Sequence, residues 1–301
     1  MGTPEIAATV LESLAEYCEI RAVFCQPDKR AGRKGQLTPL PVKIAAQKLG
    51  IEVYQHENLR DGQALDIIKE IEPEIIIVVA YGKILPRDIL DYPKYGCVNL
   101  HVSLLPNYRG AAPIQHAILN GETKTGVTAI YMNEGLDTGD IIDRVGFEIG
   151  ADETASGVFE KAADAAAKLI KKVIADIEQG TAKTTQQDDA FATCAPSLTK
   201  EMGEFSWGDD AREIYNKIRA LDIWPVAYFS LRDKKIKIHK ARLAQGGGAA
   251  GEVLSLNPLT VAALGGVIEL LEVTPQGSRL MTGKEFAAGQ RIKPGDNLMQ
   301  N

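Results

Sequence analysis

Five short apolar, β-branched runs in the first 132 residues are separated by stretches of helical pattern, and this alternation restricts the fold more than any other feature. The runs are residues 20–25, 52–54, 74–80, 97–101 and 127–132, and helical patterns cover residues 41–49, 62–71 and 112–119. Strand, helix, strand in repetition predicts a parallel sheet covered on both faces. Thr3 is placed to cap a first helix with Pro4 at its first position, running to Tyr17. Residues 153–179 read as one long alanine-rich helix, stopped by Gly180.

A polar stretch from Thr181 to about Glu204 then reads as a connection. Beyond it come a short helix over residues 211–220 and β-rich sequence broken by Gly and Pro. The fold class is therefore α/β: a Rossmann-like, mostly parallel sheet followed by a small, OB-like β-barrel. The domain bounds are 1–182 for the body, 183–204 for the linker and 205–301 for the tail. Lys235, Lys237 and His239 alternate with Ile236 and Ile238, so the three polar side chains share one face of a strand, taken as a positive edge strand.

Composition excludes several classes. The longest purely apolar stretch, Ile75 to Ala80, is far short of the ~20 residues that span a bilayer. The amino terminus has no basic-then-apolar signal pattern. Cys18, Cys25, Cys97 and Cys194 show no paired spacing and the four histidines are scattered, so no metal-ligand pattern emerges. A cytoplasmic protein without a metal is expected. Of the formal charge of -6, residues from Ser206 onward carry ten acids and thirteen bases, a net of +3, leaving -9 before them. An acidic body with a basic tail is compatible with a polyanionic partner.

Chemistry concentrates in two places. Asn99 and His101 are two apart on a strand and point to the same face, at the carboxyl end where open α/β sheets bind ligands. Such a pair can aim donors at an oxyanion, or can merely hydrogen-bond the strand end. The loop Gly135-Leu136-Asp137-Thr138-Gly139-Asp140 offers a carboxylate that could pair with His101, or simply form a turn.

Together the segments GTPE (2–5), QPDKRAGRKG (26–35), VVAYGKILP (78–86), NLHVSLLPNYRGAAPIQ (99–115), GLDTGD (135–140), LTKE (198–201) and IWP (223–225) resemble the folate-dependent formyltransferase family over nearly the whole chain. The ArgGlyAlaAlaPro extension, the basic loop and the tail domain resemble the branch that acts on initiator methionyl-tRNA. The resemblance implies 10-formyltetrahydrofolate as donor and co-substrate, with the amine of initiator methionyl-tRNA as acceptor. It implies a monomer without membrane attachment. By position, Asn99 and a protonated His101 stabilise the oxyanion, and Asp137 orients the ring and helps move the proton. Folate is expected against Ser103, Leu104, Leu105 and Pro106, with its pterin edge read by main chain near Lys83 and Leu85. Asn133 and Glu134 are expected on the opposite wall. Lys29, Arg30, Arg33 and Lys34 on a loop, and Lys235 and Lys237 in the tail, are expected to meet the tRNA. Read without the resemblance, these cations are a solvated loop and a positive strand.

The family's members begin with a short apolar strand ahead of the GlyThrPro turn, in the middle of the sheet. This sequence begins at Met1-Gly2, so the expectation is either a start assigned at an internal methionine, which is favoured, or a shortened chain, with both neighbouring strands short of a partner. Smaller departures are Arg30, His56, Cys194 and Ser197, none of them at Asn99, His101 or Asp137. The alternatives are a formyltransferase acting on a nucleotide-sugar amine, a formyl-folate hydrolase, and a non-catalytic folate- or RNA-binding module.

Overall fold

The computed structural model describes residues 1–31 and 36–299, which form two compact units. The first comprises residues 1–113, 124–148 and 159–196, and the second residues 114–123, 149–158 and those from 197 on. In chain order the elements up to residue 178 are α1 (Glu5–Ala15), β1 (Val23–Cys25), β2 (Lys29–Ala31), β3 (Gln36–Thr38), α2 (Pro41–Lys48), β4 (Val53–Gln55), α3 (Gln63–Ile71), β5 (Ile76–Val78), α4 (Arg87–Leu90), β6 (Cys97–His101), α5 (Pro113–Leu119), β7 (Lys124–Tyr131), β8 (Ile141–Glu148) and α6 (Ala155–Glu178).

The expected strand–helix alternation is present. β1 pairs β4 in parallel, and β5 pairs β6 in parallel. From β6 the sheet continues antiparallel through β7 to β8. β8 had no counterpart in the sequence reading; it follows β7 through the short Asp137 loop, which is too short for the crossover a parallel neighbour needs. α1 begins after Pro4 without a side-chain cap. Thr3, expected to cap it, donates its hydroxyl to the Tyr81 carbonyl instead, at 3.2 Å, because Met1–Thr3 runs extended beside the end of β5.

Between β1 and β5 stands only Met1-Gly2. The Met1 ammonium donates to the Ile77 carbonyl at 2.6 Å, the Val79 N–H to the Met1 carbonyl at 2.9 Å, and the Gly2 N–H to the Phe24 carbonyl at 2.9 Å. Gly2 is required by space: a Cβ there would lie 2.5 Å from the Ala7 Cβ and 2.8 Å from the Val79 oxygen. Beyond these two residues the sheet opens into a cleft of about 600 Å³, lined by Val10, Leu14, Ile77, Arg21 and Glu74 among others. The two flanking strands are three residues each.

The second unit contains α7 (Ala211–Ala220), β9 (Tyr228–Leu231), β10 (Lys234–Ala244), β11 (Val253–Leu256), β12 (Leu259–Ala263), β13 (Gly266–Pro275), β14 (Met281–Thr282) and α8 (Gly283–Gln290). Its six strands form one antiparallel sheet, in the order β11-β12-β13-β10-β9, with β14 against β13. Asp210 caps α7, accepting from the Arg212 N–H at 2.8 Å. The buried rings of Phe205, Trp207 and Phe229 pack edge-on and tilted at centroid separations of 5.2–5.8 Å. β10 alternates as expected, with Ile236 and Ile238 buried and Lys235 and Lys237 exposed. It is not an edge strand: β9 and β13 flank it, and β9 holds the edge.

Candidate active site

β6 presents Asn99 and His101 on one face, and the loop after β7 brings Asp137 to them. His101 is buried, 6% exposed, and the Asp137 side chain is 12% exposed. The Asp137 carboxylate gathers three groups. Its Oδ2 lies 3.5 Å from His101 Nδ1 and accepts the Gly110 N–H at 2.9 Å, and its Oδ1 accepts Asn99 Nδ2 at 3.4 Å. The other imidazole nitrogen, Nε2, lies 2.8 Å from the Tyr108 carbonyl. Carboxylate and carbonyl are both acceptors, so the ring satisfies both neighbours only when both nitrogens carry hydrogen.

The loop that carries Asp137 is shaped by its backbone. Asp137 has φ +55°, in the left-handed region a non-glycine residue rarely adopts. Gly139 admits no side chain, because a Cβ would fall 1.6 Å from the Tyr131 carbonyl oxygen. Asn133 closes the turn: its Oδ1 accepts the Gly135 N–H and the Thr138 hydroxyl, both at 2.9 Å.

The residues expected to meet folate divide into two groups. Ser103 and Leu105 are wholly buried. The Ser103 hydroxyl donates to the Asn107 carbonyl at 2.6 Å, and Thr128 Oγ1 donates to the Ser103 carbonyl and accepts the Leu105 N–H. Leu104 and Pro106 are partly exposed beside them. Lys83 gives its ammonium to the Glu57 carbonyl, and Leu85 is buried at the mouth of α4. Asn133 and Glu134 are exposed.

Of the expected tRNA contacts, Lys29 and Arg30 fall in β2, which pairs antiparallel with β3. Arg33 and Lys34 lie outside the described residues. The root of that hairpin is anchored by Asp28, which accepts Lys43 Nζ at 2.6 Å and Gln55 Nε2 at 3.0 Å. These two donors hold its carboxyl below the usual range. In the second unit Lys235 sits 4.2 Å above the Tyr228 ring and donates to its hydroxyl at 2.9 Å, which raises its pKa. His239 is pushed down, by burial first and by Lys237 second.

Four contributors were not singled out in the sequence: Gly110, Thr128, Arg109 and Gln187. Gly110 and Arg109 lie within the quoted RGAAP run, where spacing carried no hint of their partners. Gln187 lies in the polar stretch read as a linker, where nothing distinguishes one glutamine from the next. Among the described residues no group of three or more His, Cys, Asp or Glu side chains converges, and no helix is long and apolar enough to cross a membrane.

This His–Asp–Asn corner falls inside a recognised pattern. Residues 2–174 match the model for formyl transferase, and residues 197–291 match the model for the formyl transferase C-terminal domain. The chain belongs to the formyl transferase family. Relatives named methionyl-tRNA formyltransferase include that of Citrifermentans bemidjiense, 40% identical over 99% of this chain and 95% of the relative. That of Caldicellulosiruptor saccharolyticus is 42% identical over 99% of this chain and 98% of its own. Solved formyl transferase folds extend further. An N-formyltransferase from Helicobacter canadensis, in complex with folinic acid and dTDP-3-aminofucose, superposes with a TM-score of 0.68 at 21% identity, covering 89% of this chain and 97% of that one. HypX from Aquifex aeolicus, in complex with tetrahydrofolic acid, has a TM-score of 0.65 at 18% identity, covering 90% of this chain and 47% of that one. At such identities the likeness is one of formyl transferase fold.

Proposed function

We infer that this chain transfers the formyl group of 10-formyltetrahydrofolate to the amino group of initiator methionyl-tRNA, for translation initiation. The observation that carries the reaction class is the buried convergence of Asn99, His101 and Asp137 on one point, from a strand end and a separate loop. The full-length relatives at about 40% identity support the tRNA acceptor.

The chemistry follows from the groups present. The amine attacks the formyl carbon, a C–N bond forms, and the carbonyl oxygen takes the negative charge of the tetrahedral intermediate. Asn99 Nδ2 and a doubly protonated His101 supply the donors for that oxygen. Asp137 balances the ring's charge and accepts the amine proton, directly or through water, and passes it to the departing folate nitrogen as the old C–N bond breaks. Preorganised donors in a water-poor site strengthen at the moment the charge develops.

Folate enters the reaction as a substrate. Leu104 and Pro106 offer an apolar wall, with Ser103 and Leu105 supporting it from the core. The Leu85 N–H, with no partner among the described residues, suits main-chain reading of the pterin edge near Lys83. Asn133 and Glu134 form the opposite side. Lys29, Arg30, Arg33, Lys34, Lys235 and Lys237 are assigned to the tRNA backbone, where each phosphate contact steepens the salt dependence of binding. The organisation is a catalytic body of 1–182, a connecting stretch of 183–204 and a tRNA-facing tail of 205–301. The enzyme acts as a cytoplasmic monomer.

The deciding assay offers 10-formyltetrahydrofolate with charged initiator tRNA, with an amino-sugar nucleotide, or with neither, and measures tetrahydrofolate release. Release with tRNA alone is expected. Release with the sugar nucleotide, or in the absence of any amine, overturns the assignment in favour of a sugar formyltransferase or a hydrolase.

A further inference from the structure

Gln187 makes its hydrogen bonds in a way that leaves its amide no alternative orientation. It is 8% exposed. Its Oε1 accepts the Arg109 fork, from Nε at 3.1 Å and from an Nη2 at 2.9 Å. Its Nε2 donates to two backbone carbonyls of the carboxylate loop, that of Asp137 at 2.8 Å and that of Gly139 at 2.7 Å. Arginine can only donate and carbonyls can only accept, so the oxygen must face Arg109 and the nitrogen must face the loop. Arg109 is itself held, its Nη2 donating to Asp189 Oδ1 at 2.8 Å. Its backbone pairs on both sides of Cys194, N–H to the Thr193 carbonyl at 2.8 Å and carbonyl to the Ala195 N–H at 2.7 Å.

The two carbonyls that Gln187 binds bracket the loop's least favourable geometry. Asp137 sits at φ +55° and is followed, two residues on, by the glycine pressed against Tyr131. A donor on each carbonyl holds that left-handed turn and so holds the carboxylate in reach of His101 Nδ1, Asn99 Nδ2 and the Gly110 N–H. Gly110 adjoins Arg109 in sequence, so one side chain ties together both segments that meet at the carboxylate. We propose that Gln187, oriented by Arg109, is a positioning residue that sets the conformation of Asp137 for formyl transfer. This rests on the reading of Asp137 as a catalytic group.

A role confined to stability and a role in positioning part company at one substitution. Gln187→Glu keeps an acceptor for Arg109, now as an ion pair, but faces two carbonyls with an oxygen that cannot donate. Positioning predicts that Gln187→Glu and Gln187→Ala both lose kcat by about 10²-fold, the scale of an ångström-sized misplacement. KM for folate and for tRNA should stay near the parent values, and both variants should remain folded at the assay temperature even where the melting temperature falls. In single-turnover measurements, Gln187→Ala added to Asp137→Ala should cost nothing further, because the two act through one group. Retained kcat in Gln187→Glu, or losses that multiply in the double variant, overturns the proposal. If Asp137→Ala turns over normally, the catalytic reading falls and this proposal with it. If Asp137→Ala is inactive while Gln187→Ala is not, only the proposal falls.

Discussion

Two regions of the first unit use space in opposite ways. The cleft between β1 and β5 encloses about 600 Å³, lined by aliphatic side chains such as Val10, Leu14 and Ile77 together with charged ones, Glu19, Arg21, Glu72 and Glu74 among them. The corner at Asp137 gathers an imidazole, an amide and a backbone N–H within 3.5 Å of one carboxylate. Volume measures what packing has left unfilled; convergence of buried donors and acceptors measures what chemistry is possible. The unfilled cleft therefore bears on stability, and the convergent corner on rate.

The comparison can be broken most decisively at the corner. His101→Ala or Asp137→Ala should lower kcat by about 10²–10³, roughly 3–4 kcal/mol of barrier, while the melting temperature stays close to the parent's. Steady-state kinetics beside thermal melts would refute the division if the fold fails along with the rate. At the cleft the expectation reverses. Five β-branched apolar residues placed ahead of Met1 should pair with both flanking strands and bury side chains, adding about 3 kcal/mol once their ordering entropy is subtracted. The readout is a melting temperature higher by about 5 °C or more, with kcat unmoved. No rise would mean that the cleft edges do not accept a strand.

The third expectation concerns the buried Met1 amine, pushed down to about 6 by burial, with Cys97 and Cys25 partly opposing. A lowered amine stays neutral in the fold while the unfolded chain still binds the proton, so stability rises with pH between about 6 and 8 and is lost below about 6. The gain is about 2–3 kcal/mol, read from denaturant midpoints across that range, and the added strand should abolish it by moving the amine. The smallest effect lies in the second unit. Lys237→Ala should reduce the salt slope of tRNA binding by about 1 and leave kcat at saturating tRNA unchanged. Lys235→Ala should do less, since that ammonium is engaged with Tyr228.

Much of the fold was legible because its signals are local. Apolar runs and turn residues placed β6 at residues 97–101 and α7 at residues 211–220 without error. Period two put Asn99 and His101 on one face, and Lys235 and Lys237 on another. β8 escaped because its exposed, mixed pattern, with Asp143 and Arg144 in mid-strand, shows no apolar alternation. Thr3 as a cap failed because a hydroxyl takes whichever acceptor tertiary contact brings near, here the Tyr81 carbonyl.

By itself the sequence determined the strand–helix alternation of the first part, the family resemblance and the shared face of Asn99 and His101, since each depends on periodicity, turn chemistry or a recognisable run. Only the tertiary structure decided that Gln187, fifty residues beyond Asp137, supports that carboxylate's loop, and that β10 is flanked on both sides. Hydrogen bonds across long sequence separations depend on where two backbones come to rest. No local pattern encodes that distance.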